Sequence, residues 1–152
     1  VARSDVYGAY VRAAGNGEAW ILVDGPPGAG CPVISSLTGA DYVVLVTEPT
    51  VSGYSDLQRA AAVADHFRIR TGIIVNKADL NPSIASGIED YASATGRDLL
   101  GSLPYDAAFT QAQRMEKPVI DIASAALRKS LADAWRAVER AMQGESALAV
   151  LR

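Results

Sequence analysis

The sequence is short of several things, and each shortage removes a class of function. It has one cysteine, Cys31, in 152 residues, so no intrachain disulfide can form. It has no apolar run near the roughly 18 residues that a membrane span needs. Its longest continuous runs, Tyr42 to Val46 among them, have the length of a strand. The opening stretch, Val1 to Gly17, lacks an apolar targeting core. Neither sign of charge dominates: the net charge is -3, and nothing electrostatic draws the chain to nucleic acid or to an anionic membrane. The expected compartment is therefore the cytoplasm, with no nucleic-acid partner and no membrane span. There are no internal repeats and no low-complexity tracts. The chain opens on Val1 rather than Met, which raises the expectation of a piece of a longer protein.

What is present reads as one globular domain, 49% hydrophobic and 20% charged, long enough to bury a core. Four short apolar runs stand out: Ala19 to Asp24, Tyr42 to Thr47, Thr71 to Asn76 and Leu99 to Pro104. Each is continuous rather than alternating, as in strands covered on both faces. Helical patterns lie between them. Leu57, Ala60, Ala61, Ala64 and Phe67 share one face of the first. Asn81 and Pro82 open the second as N-cap and first helical residue, and Gly96 ends it. Asp106 caps a third. Ile122 to Met142 reads as one amphipathic helix with Leu127, Leu131, Trp135, Val138 and Met142 along its stripe. Strand–helix repetition predicts an α/β fold with an open, mostly parallel sheet and helices on both faces, in three layers. It spans 1–152 as a single domain, with Val1 to Gly17 and Gly144 to Arg152 peripheral.

In open parallel sheets, ligands bind beyond the carboxyl ends of the strands, and those ends are polar here. Asp24 closes the first run, immediately before the loop from Gly25 to Gly30. A carboxylate there can hold Mg²⁺ beside a phosphate chain. Gly25, Gly28 and Gly30 leave backbone N–H groups open to close approach, while Pro26 and Pro27 stiffen the loop. Thr47-Glu48, Asn76-Lys77 and Pro104-Tyr105-Asp106 close the other runs. "NKAD", Asn76 to Asp79, follows a strand directly. An Asn amide can bond a purine edge, and the Asp carboxylate can accept two N–H bonds from guanine. The competing reading is a helix start capped by Asp79 or Asn81.

The run "ILVDGPPGAGCPVISSLTGADYVVLVTEPTVSGYSDLQRA", followed by "GIIVNKADLN" and "GSLPYD", resembles the MinD superfamily of P-loop ATPases, and within it the branch carrying an inserted ferredoxin domain. The likeness runs from about Trp20 to Ile120. It implies that Asp24 is the Walker B-like catalytic and metal residue, that Gly25 to Gly30 sense the γ-phosphate, that Asn76 contacts the base, and that Pro104 and Tyr105 lie against it. It implies Mg²⁺ and ATP as cofactors, a homodimer, and coupling to an iron–sulfur or electron-transfer partner.

The departures from that pattern are as informative. The family's glycine-rich loop with a Lys and a Ser/Thr is absent, as are its four-cysteine ferredoxin patterns. The expectation is a C-terminal portion of such an ATPase that alone binds nucleotide weakly and hydrolyses none. Removing the family's central strand would bare strand edges. Those could be closed by pairing Ala19 to Asp24 with Tyr42 to Thr47, by dimerisation, or by a separate chain. Two other readings stand: a GTP-binding member selected by Asp79, and a non-enzymatic binding or dimerisation module. Cys31 is either an inert buried thiol or a cluster ligand shared between chains. His66 reads as surface or half-buried, Trp20 and Trp135 as core, and Arg114, Glu116 and Lys117 as solvated surface. The family often has a small residue where Glu116 stands. Glu48 and Thr50 have turn, cap or ligand roles, and Tyr105 either stacks on a base or covers the sheet edge.

Overall fold

The structure is a computed structural model, and it describes residues 22–26, 30–37 and 39–143. A short helix α1 (Cys31–Leu37) precedes strand β1 (Tyr42–Thr47). Then follow α2 (Val51–His66), β2 (Arg70–Asn76), a 3-10 turn (Ala78–Leu80), α3 (Pro82–Ala94) and β3 (Asp98–Leu103). The chain closes with α4 (Ala108–Arg114), α5 (Val119–Ile122) and α6 (Ala125–Met142). The strands form a parallel sheet in the order β1-β2-β3. Three of the expected strands thus form within one residue of their predicted bounds.

The two faces of β2 explain the layers. Ile73 and Val75 point to one face, where they pack with Leu57 of α2 and Ala85, Ile88 and Ala92 of α3. Ile74 points to the other, beside Leu100 and Ala137, Val138 and Ala141 of α6. A strand covered on both sides has no polar positions to alternate, hence the continuous apolar run. A third cluster, Ala108, Ala123 and Leu127, seats α4 and α5 against the start of α6.

The first apolar run behaves differently from expectation. Leu22 to Asp24 form no strand and are exposed, with Leu22 76% accessible; Ala19 to Ile21 lie outside the described residues. β1 is paired on one side only, by β2, so the described part of this run does not close the sheet. A β conformation needs a ladder partner for its backbone groups, and Leu22 to Asp24 have none. Among the described residues β1 accordingly keeps an open edge, and its Val44 and Val46 are exposed.

Helix ends follow local chemistry. Thr50, Asn81 and Ser124 cap α2, α3 and α6 by accepting N–H bonds from Gly53, Ile84 and Leu127. The Ser124 cap breaks the expected helix from Ile122: Ala123 is extended, and α5 and α6 are separate. Asp106 accepts from the Ala108 N–H at 2.8 Å, but it stands one residue before Ala107, the N-cap of α4, which has no side-chain cap bond. Gly96 ends α3 in a left-handed turn, with the Arg97 N–H returning to the Ala92 carbonyl. Arg68 and Glu116 make the same turn after α2 and α4 without the help of glycine. Phe67, expected on the apolar face, is the C-cap of α2 and is exposed, with His66 edge-on to its ring. Arg114, Glu116 and Lys117 are exposed, as expected. Trp135 is not core: it is 45% accessible and donates to Glu139. α6 instead buries Ala134, Ala137, Val138 and Ala141. Small residues let the helix lie close to β3, where Gly101 faces Ala134, and the larger Trp135 stays at the margin.

A polar tie closes the amino-terminal edge of the sheet. The Tyr42 hydroxyl donates to buried Asp98 at 2.8 Å, and Arg70 pairs with the same carboxylate while donating to the Ala141 carbonyl of α6. Asp98 stands in register with Gly72, and Gly72 with Val44. The Tyr42 ring therefore crosses diagonally above Gly72 to reach β3, where a Cβ would collide with the hydroxyl and with Leu100. Nearby, Arg97 pairs with Asp65, donates to Thr71 and lies over the Tyr91 ring.

Two outcomes follow from this tie. Gly72→Ala should cost about 1–3 kcal/mol in urea unfolding, and an unchanged midpoint would show that the crossing is not tight. The Tyr42 phenol is raised well above its usual range by burial first, and then by its bond to Asp98 and that carboxylate's charge. A raised folded value means that the contribution is fully present below the unfolded phenol value of about 10 and is lost as pH rises toward the folded one. Of the six tyrosines, one should stay un-ionised in a 295 nm titration until the fold fails. Six tyrosines titrating together in a native protein would refute the tie.

Candidate functional site

Parallel strands deliver their carboxyl ends to one rim of the sheet, and three loops meet there. The loop after β1 is built tightly. Buried Thr47 donates its hydroxyl to the Gly53 carbonyl at 3.0 Å. Pro49 is fully buried, and the Thr50 N–H folds back on the Glu48 carbonyl at 2.8 Å. Gly53 is pressed against that same Glu48 carbonyl, with no room for a side chain. Glu48 is thereby held at the rim by packing beneath it.

The loop after β2 is "NKAD". Asn76 ends the strand half-buried, and its side chain makes no hydrogen bond among the described residues. Lys77 then takes a left-handed conformation, φ 55, which costs a residue with a side chain about 1 kcal/mol. That turn sends the chain into the 3-10 turn Ala78–Leu80 and on to the Asn81 cap. The loop after β3 is Pro104-Tyr105-Asp106, with Tyr105 54% exposed.

Side chains stitch these loops together. Lys77 Nζ lies 2.6 Å from Glu48 Oε1, joining the β2 and β1 loops. Both side chains are about a third or more exposed, so the pair is worth less than about 1 kcal/mol, and its effect is geometric. Asp79 Oδ1 accepts the Tyr105 N–H at 2.6 Å, joining the β2 and β3 loops. The rim thus brings together Asn76, Asp79, Pro104 and Tyr105, four of the residues expected from the sequence. The Glu48–Lys77 pair was not foreseen; its signal was opposite charges at the ends of two consecutive strands.

The other expected residues are not joined to this rim. Asp24 is exposed and makes no hydrogen bond or ion pair among the described residues. Gly25 is exposed, close to Ser36, and the Gly30 carbonyl accepts the Val33 and Ile34 N–H groups that start α1. Gly28, Trp20 and the Cys31 side chain lie outside the described residues. Among those described, no three His, Cys, Asp or Glu side chains gather as a metal group. An open cleft of about 330 Å³ lies between β3 and α6, lined by Leu99, Ser102, Ser130, Asp133 and Arg140; it includes none of the rim residues named above.

The whole architecture has solved counterparts. A MinD cell division protein of Aquifex aeolicus superposes with a TM-score of 0.76 over 91% of this chain and 61% of its own, at 18% identity. The Pyrococcus furiosus cell division ATPase MinD does so with a TM-score of 0.71 over 91% of this chain and 58% of its own. The chain has the MinD fold. At 18% identity the likeness is one of fold, and the chain spans about three fifths of each MinD chain. No family model matches the sequence. Two uncharacterized proteins of Methanocaldococcus jannaschii share shorter stretches. MJ0578 is 37% identical over 60 residues, 40% of this chain and 22% of its own length, and MJ0579 is 39% identical over 56 residues, 21% of its length. The chain therefore spans about a fifth of those relatives. No helix among the described residues is long and apolar enough to cross a membrane.

Proposed function

We propose that this chain is the base-binding side of a MinD-type nucleotide-binding ATPase domain. One observation supports this above the others: in a MinD fold, a half-buried Asn76 amide without a hydrogen-bond partner among the described residues stands at the carboxyl rim, opposite Leu103, two residues before exposed Tyr105. An amide offers a donor and an acceptor side by side, as an adenine edge does, and a phenol ring can cover a base face. Pro104 fixes the backbone before Tyr105. In this reading Asp24 and the glycines from Gly25 to Gly30 belong to the phosphate side. The grip on the phosphates would come from a glycine-rich, Lys-bearing loop that these 152 residues do not include. Any iron–sulfur coupling would need ligands beyond this chain's single cysteine, because a cluster takes four thiolates.

Heteronuclear NMR of the purified chain tests the reading. Mg-ATP should shift the amides of Asn76 and of residues 103–106 with an affinity near millimolar, about −4 kcal/mol, and no phosphate should be released above the buffer rate. Shifts confined to other surfaces, or measurable turnover of ATP, would overturn it.

We also propose that the open edge of β1 takes a strand from a second copy of the chain. The exposed Val44 and Val46 beside an unpaired ladder support this. Sedimentation velocity should show a concentration-dependent dimer that Val46→Lys dissolves. A wild-type chain that stays monomeric at every accessible concentration would remove this second proposal and leave the first intact.

A further inference from the structure

Asp79 is the residue on which a guanine reading of "NKAD" depends, and the fold already uses it. Guanine presents two neighbouring N–H donors on one edge, and a carboxylate recognises them by turning both oxygens toward them. In this chain Oδ1 of Asp79 instead faces the neighbouring loop and accepts the backbone N–H of Tyr105 at 2.6 Å. We propose that Asp79 is a positioning residue that fixes the Tyr105 loop against the end of β2, and that it reads no base. The proposal rests on the nucleotide reading above only for its consequence at the base; the positioning itself stands on the geometry.

Three features make the contact a designed join between loops. Pro104 has no N–H, so Tyr105 carries the first donor that the chain presents after β3. A carboxylate on the adjacent loop is the group that meets it. Beyond Tyr105, Asp106 accepts the Ala108 N–H at 2.8 Å and starts α4. The loop is therefore fixed at both ends by carboxylates, one borrowed from β2 and one its own, while the Tyr105 ring between them stays open to solvent. On the other flank, Lys77 is drawn to Glu48. The Lys and Asp of the motif thus pull in opposite directions, toward β1 and toward β3, and Asn76 is the member whose side chain has no hydrogen-bond partner among the described residues. If Asp79 swung out to meet a guanine, it would release the loop that carries the ring meant to cover that base. Guanine selection and ring positioning are competing uses of one carboxylate.

The test uses the whole chain and two variants of this exposed residue. Amide hydrogen exchange at Tyr105, without nucleotide, reads the pin directly. Asp79→Ala should speed that exchange by roughly tenfold, the equivalent of one lost hydrogen bond, and Asp79→Asn, which keeps an acceptor oxygen, should restore most of the protection. Exchange unchanged in Asp79→Ala would overturn the proposal. Titrations with Mg-ATP and Mg-GTP read the consequence: the ratio of the two affinities should be the same in the wild type and in Asp79→Asn. A wild-type preference for GTP that Asp79→Asn abolishes would make Asp79 a base reader and overturn the proposal. If neither nucleotide shifts any resonance, the nucleotide reading falls by itself, and the Tyr105 exchange rates still decide whether Asp79 holds the loop.

Discussion

Parallel pairing on both sides of β2 is the constraint on which everything else in the fold rests. β1 and β3 run in the same direction as β2, so all three strands leave the sheet at one rim. Each must then turn back over a face to return to the opposite rim, and α2 and α3 are those returns. The candidate site needs no further device to collect its parts. Thr47, Asn76 and Leu103 end neighbouring strands, so the loops that follow them are neighbours as well. Reversing β2 would place Asn76 at the far end of the sheet and leave Glu48 and Tyr105 without a loop between them.

The two rims have different chemistry. At the amino-terminal rim, two buried charged side chains, Asp98 and Arg97, are each paired with a more exposed partner. Asp98 is 6% accessible and shared by Tyr42 and Arg70, and Arg97 is held by Asp65 and Thr71. Such groups tolerate burial only when paired and hydrogen-bonded, so they fix the strand ends firmly. Arg70 extends the tie to the last turn of α6, where its guanidinium meets an orphan helix carbonyl. At the carboxyl rim the polar groups are half-buried or exposed, and their bonds run between loops. A fold that anchors itself at one rim can leave the other for a ligand, because few of its stabilising contacts are spent there.

The sequence was informative where local chemistry decides the outcome, and misleading where the outcome depends on a neighbour. Tyr42 to Thr47, Thr71 to Asn76 and Leu99 to Pro104 were legible as strands because burial on both faces leaves a continuous apolar run. Asn81 with Pro82, and Gly96, were legible as helix ends because caps are short-range. Leu22 to Asp24 carry the same apolar signature and form no strand, since pairing needs a partner that apolarity does not supply. The break between α5 and α6 was hidden by a stripe that runs through it: Ser124 has a capping hydroxyl, yet the spacing of Leu127 and Leu131 continues smoothly from Ile122. Trp135 was misjudged by size. Close approach of α6 to β3 favours Ala134 and Ala137 at the contact, and a large aromatic ring is displaced to the edge of a tightly packed seam.

The motif "NKAD" shows why a short polar sequence at a strand end is hard to read. Its spacing is compatible with a base-recognition loop, and equally with a turn that has to be held. Asn76 belongs to the strand, Lys77 supplies the left-handed step out of it, and Asp79 arrives one 3-10 turn later, facing the next loop. Those positions follow from the backbone alone, before any ligand is considered. A carboxylate in that place meets whichever donor is nearer, and the Tyr105 N–H is 2.6 Å away. Within such a rim, a residue's chemical suitability for a ligand says little until the chain's own demands on it are met. Here Glu48–Lys77 and Asp79–Tyr105 meet them, and what remains unclaimed is one amide and one aromatic ring. That remainder is what the rim can still offer to a ligand, with the charged groups of the motif serving as the frame.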